Sequence, residues 1–113
     1  EPVFPHGLHG VFISRYAEIG TNCWIYQNVT IGEIDGQAPV IGNGCLIGAG
    51  AVVVGGIRIG CQVKIGAGAV VCTDIPDHCT VVCQPGRIII NPKINFSETD
   101  ENVNEKEEKE QKP

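Results

Sequence analysis

Branched aliphatic residues recur at every sixth position along most of the chain, at 13, 19, 25 and 31 and then at 41, 47, 53, 59, 65 and 71. Gly follows six of them, at 20, 32, 42, 48, 60 and 66. Four residues beyond nearly every aliphatic stands a small or β-branched side chain, among them Cys23, Val29, Cys45, Ala51, Val63 and Ala69. The hexapeptide Ile47-Gly48-Ala49-Gly50-Ala51-Val52 returns unchanged as Ile65-Gly66-Ala67-Gly68-Ala69-Val70. A period of six matches neither the 3.6 of a helix nor the plain alternation of a strand. It predicts short strands joined by corners, with three sides to a coil of about eighteen residues. Residues one coil apart then stack at the ~4.8 Å spacing of paired strands. The aliphatics point inward, and the Gly after each is expected to turn the corner with backbone angles that a Cβ would oppose. One step is irregular: ten residues separate Ile31 from Ile41, so Glu33 to Pro39 should form a loop projecting from a corner. Pro76 and Pro85 are expected to end the repeat.

Composition agrees with this architecture. Fifteen Gly, no Met and 5 % aromatics exclude a helical bundle. No apolar run reaches the ~20 residues of a membrane span, and no signal peptide is recognisable. The chain does not begin with Met and is read as lacking its native N-terminus. Residues 98–113, rich in Glu and Lys, carry most of the net charge of −5 and read as a disordered acidic tail. Residues 1–97, the expected solenoid domain, are nearly neutral and lack the basic stripe that nucleic-acid binding requires. The six cysteines contain no Cys-x-x-Cys pair, and Cys23 and Cys45 fall at inward small positions. They are read as free thiols in a reducing, cytoplasmic compartment. Glycosylation sequons at Asn28 and Asn95 would then go unused.

Chemistry must come from sites placed on the scaffold. The histidines are His6, His9 and His78. His6 and His9 lie in Pro5-His6-Gly7-Leu8-His9-Gly10, before the repeats settle, and His78 reads as a surface residue in a turn. Histidine is the side chain suited to moving protons near neutral pH.

The repeat resembles that of the hexapeptide-repeat acyltransferases, over about residues 6–90. That resemblance implies an all-β fold, a left-handed parallel β-helix of triangular section with about four coils. Cys79 to Ile90 resembles the family's closing segment V-x-G-x-P-A-K/R-I/V, with Cys83 and Gly86 in place of Gly and Ala. Pro5 to Ile13, followed by Cys23-Trp24-Ile25-Tyr26-Gln27-Asn28-Val29-Thr30-Ile31-Gly32, resembles the serine acetyltransferase branch, where a His before a Gly-aliphatic stretch precedes Q-x-V-T-I/L-G. His6 matches that His best, and His9 is the alternative. The resemblance implies direct transfer from acetyl-CoA to the hydroxyl of a small acceptor, a step of cysteine biosynthesis, with the His as general base. It also implies a homotrimer whose CoA groove runs between neighbouring helices. Ala49 and Ala67 match positions bonding the pantetheine arm, and Lys64, Arg87 and Lys93 are candidates for the phosphates. The family's His is oriented by an upstream Asp; residues 1–5 contain none, so that partner is absent here or belongs to a missing segment.

One departure concerns the acceptor. Where the family's loop ends R-H-P-K/R-I, this chain has Gln37-Ala38-Pro39-Val40-Ile41. The cation that would hold an amino-acid carboxylate is absent, and Asp35 and Gln37 are the polar groups left on the loop to meet the acceptor. The acceptor is therefore open between serine and a sugar or polysaccharide hydroxyl, and a non-catalytic β-solenoid module is a further reading. A γ-type carbonic anhydrase needs three zinc-binding histidines from adjoining coils. Residues 40–75 hold none, so no metal is expected.

Overall fold

The computed structural model describes residues 2–93; the acidic tail and the Asn95 sequon lie outside them. Eleven strands of two or three residues and no helix make up the described chain, so no helix there is long and apolar enough to cross a membrane. Every strand pair is parallel, and the strands form three faces of a coil. Face I contains β1 (Phe12–Ile13), β4 (Thr30–Gly32), β7 (Val52–Val54) and β10 (Val70–Val71). Face II contains β3 (Trp24–Ile25), β6 (Leu46–Ile47), β9 (Lys64–Ile65) and β11 (Thr80–Val81). Face III contains β2 (Glu18–Ile19), β5 (Val40–Ile41) and β8 (Arg58–Ile59), extended by a bridge from Ile59 to Ile75. This is a β-solenoid of about four turns.

The period-six aliphatics are the inward residues. Ile13, Ile31, Val53 and Val71 stack in register on face I, and Ile25, Ile47, Ile65 and Val81 on face II. Between them the corners contribute Cys23, Val29, Cys45, Ala51, Val63 and Ala69, all buried. The core is a single narrow column enclosed by the three faces. Each inward aliphatic is worth roughly 1.5–3 kcal/mol of apolar burial, and its partners along the column are fixed by the ladder.

The corner glycines serve a different purpose from the one expected. Those that follow the aliphatics have ordinary backbone angles; Gly20, Gly42, Gly48 and Gly60 are required because the next coil passes too close for a Cβ. A Cβ on Gly48 would stand 2.7 Å from the Ala67 backbone nitrogen and 2.9 Å from the Ile65 carbonyl oxygen. The left-handed conformation falls two residues later, at Gly50 (φ 72°) and Gly68 (φ 75°), and at Asn28 (φ 60°), one of the residue types that tolerate it.

Pro76 does not end the solenoid. The final coil closes with sixteen residues, pairing Ile59 with Ile75 and Lys64 with Thr80. On this face the N–H of the residue after the inward aliphatic points to the coil above, as Gly42 bonds the Ile59 carbonyl and Gly60 bonds Ile75. Pro76 occupies that position in the last coil, where no further strand waits for a donor.

Candidate active site

The edge between faces II and I carries His6 and His9. Four segments stack there: the turn from Phe4 to Val11, then Tyr26 to Val29, Gly48 to Ala51, and Gly66 to Ala69. Backbone hydrogen bonds link them in turn. Asn28 N–H donates to the His9 carbonyl at 2.8 Å, Gly50 N–H to Gln27 at 3.0 Å, and Gly68 N–H to Ala49 at 2.9 Å. His6, His9, Ala49 and Ala67, far apart in sequence, therefore share one edge.

The His6 ring is held twice. Its Nδ1 lies 2.8 Å from Gln27 Oε1, and its plane stands at 90° to the Tyr26 ring with centroids 5.5 Å apart. A side-chain amide oxygen only accepts, so the proton sits on Nδ1 and the Nε2 lone pair is free. That is the tautomer a general base needs if its outer nitrogen is to take a proton. The His9 ring is different: among the described residues no side chain hydrogen-bonds it, and its contribution to the edge is its backbone carbonyl. His78 lies at the opposite end of the solenoid on another edge, bonding Cys61 through its backbone.

The remaining candidates are dispersed. Lys64 projects from face II in the same outward column as Trp24 and Leu46, beside a groove of about 290 Å³ that Gln62 also lines. Arg87 and Lys93 belong to the exposed chain beyond β11. Asp35 and Gln37 stand on the edge between faces I and III, so one chain does not bring them to His6. Their loop is a tight hairpin: Ile34 and Gln37 exchange both backbone hydrogen bonds, at 2.9 and 3.0 Å. Asp35 (φ 53°) and Gly36 (φ 79°) supply the two left-handed residues of its turn. Ser14, buried beneath it, donates to Glu33 at 2.8 Å.

The buried thiols Cys23 and Cys45 are poor candidates for covalent catalysis. Burial pushes the Cys45 thiol above its ordinary value of 9.0, so it stays protonated near neutrality. Cys23 and Cys45 direct their sulfurs at the Gly42 and Gly60 carbonyls, at 3.1 and 3.0 Å.

Gln27 and Tyr26 entered the sequence reading only as part of the Q-x-V-T stretch, with no role in the site. The signal was present, because the coil offset that stacks Ala67 on Ala49 also stacks Ala49 on Gln27.

A β-solenoid with stacked hexapeptide coils and a histidine on an edge of small residues is consistent with the hexapeptide-repeat acyltransferases. The chain is homologous to the serine acetyltransferases within that class. It is 44 % identical over 99 residues to a serine acetyltransferase of Synechococcus elongatus, covering 84 % of this chain and 40 % of that protein. It is 45 % identical over 89 residues to one of Bacillus subtilis, covering 75 % and 41 %. Among solved structures, isoform 3 of Entamoeba histolytica serine acetyltransferase in complex with cysteine superposes with a TM-score of 0.71 at 38 % identity. That match covers 81 % of this chain and 34 % of the other. The Neisseria gonorrhoeae serine acetyltransferase in complex with serine gives 0.69 at 40 % identity, covering 77 % and 36 %. No protein-family model matches the chain. The chain spans about 40 % of the length of the curated relatives it matches.

Proposed function

We propose that this chain transfers the acetyl group of acetyl-CoA to the hydroxyl of serine, with His6 as general base. The observation that carries the reading is the bond from His6 Nδ1–H to Gln27 Oε1 at 2.8 Å, which leaves Nε2 able to accept a proton. Nε2 takes the serine hydroxyl proton as the oxygen attacks the thioester carbonyl carbon. The tetrahedral intermediate then collapses, the carbon–sulfur bond breaks, and the imidazolium returns its proton to the departing CoA thiolate. A base so placed contributes ~10²–10⁴-fold.

CoA is laid along the same edge, where Ala49 and Ala67 leave room for the pantetheine arm; Lys64, Arg87 and Lys93 are the cations offered to its phosphates. An edge gives a ligand only one wall. The other is supplied by a second copy, and a homotrimer provides three such grooves. In that assembly the hairpin bearing Asp35 and Gln37 meets the acceptor across a subunit boundary. The six thiols suit the reducing cytoplasm.

Serine is preferred over a sugar because a relative at 40 % identity is described with serine bound. The test is thiol release from acetyl-CoA by the full chain, offered serine, homoserine and simple sugars in turn. Serine-dependent release supports the reading; release with a sugar but not with serine overturns the acceptor.

A further inference from the structure

We propose that Gln27 is the positioning residue of the general base, doing with a neutral amide what an acidic side chain does for other catalytic histidines. The inference rests on the reading of His6 as the base, and it deepens that reading. Among the described residues, Gln27 is the only side chain hydrogen-bonded to the His6 ring.

Three features equip Gln27 for this role. Its backbone is fixed by the ladder, since its carbonyl accepts Gly50 N–H at 3.0 Å, so the side chain starts from a defined point. Its neighbour Tyr26 packs edge-on against the same imidazole, which removes the ring's freedom to turn about the hydrogen bond. Its reach crosses from one coil to the turn below, coupling residues twenty-one apart in sequence.

Neutrality has a chemical consequence. The amide oxygen accepts from Nδ1–H in both the neutral and the protonated ring, so the contact survives the whole catalytic cycle. A carboxylate in its place adds a full negative charge that favours the imidazolium and raises the pH at which the base becomes free. An unrestrained histidine prefers its proton on Nε2, the wrong nitrogen for this site. Gln27 therefore selects the tautomer without placing a charge beside the ring.

The experiment is ¹⁵N NMR of the full chain in its wild-type, Gln27→Leu and Gln27→Glu forms, with pH–rate profiles on the same samples. In wild type the neutral His6 ring is expected to carry its proton on Nδ1. Gln27→Leu should return it to the Nε2–H tautomer and lower kcat by about ten- to a hundredfold, as expected for a base no longer held in line. KM for acetyl-CoA should stay within twofold. Gln27→Glu should restore the Nδ1–H tautomer and move the acid limb of kcat upward by about one pH unit. A Nε2–H tautomer in wild type, or an unchanged tautomer in Gln27→Leu, overturns the proposal. An Nδ1–H ring in a chain that transfers no acetyl group to any hydroxyl overturns instead the acetyltransferase reading on which it rests.

Discussion

Ala49 lies one coil above Gln27 on the same edge, and the Gln27 carbonyl accepts the N–H of the next residue, Gly50, at 3.0 Å. The residue that holds the histidine and the one assigned to the cofactor are thus consecutive rungs of a single ladder. On the proposed reading, that ladder would set the spacing between the base and the thioester.

If the edge is the CoA track, filling it should block the cofactor and spare the fold. Ala67 is exposed and its side chain is not part of the core. Ala67→Trp is expected to weaken CoA binding at least tenfold by calorimetry, with the melting temperature within a few degrees of wild type. Unchanged affinity would move the track to another edge.

The edge between faces III and II holds a ladder of side-chain acceptors with one weak rung. Asn43 Oδ1 accepts Thr21 N–H at 2.8 Å and Asp77 Oδ1 accepts Cys61 N–H at 2.8 Å. Between them Asn43 N–H meets only the sulfur of Cys61, at 3.3 Å. Sulfur is a weak acceptor, so Cys61→Asn should stabilise the chain by about 0.5–1.5 kcal/mol. Thermal melts check this, and an unchanged or lowered midpoint would mean that the asparagine cannot reach.

Cys45 gives the stability a defined slope at alkaline pH. Its folded-state pKa is raised by burial above 9.0, so the folded chain holds a proton that the unfolded chain releases. That contribution is complete below 9.0 and is lost as pH rises through the folded value. Denaturant midpoints measured from pH 7 to pH 10 should fall less steeply for Cys45→Ala than for wild type. Parallel profiles would show that this thiol does not couple to folding.

Much of this was legible from spacing alone. The inward aliphatics from Ile25 to Val71 and the buried Cys23 and Cys45 stand where a period of six puts them, because a one-column core leaves each position a single neighbour set. The role of the glycines was not legible. Close approach excludes a Cβ whereas a left-handed φ only disfavours one, and Asn22, Asn28 and Gln62 in the left-handed slots separate the two. Pro76 misled for a related reason: a proline forbids a strand above it, not the strand it belongs to. Gln27 was legible as the first residue of a Q-x-V-T motif, but not as a partner of the histidine. Its meaning comes from what the turn below it presents, and that turn lies outside the repeat.

The most direct measurement compares His6→Ala with His9→Ala in steady-state acetyl transfer, with CoA affinity measured separately. His6→Ala should lower kcat by ~10²–10⁴-fold while CoA binds within a few-fold of wild type, because the base acts on the acceptor and not on the cofactor track. His9→Ala should cost far less, its ring having no side-chain partner among the described residues. Full turnover in His6→Ala, or turnover abolished by His9→Ala alone, would contradict the assignment of His6 as the base.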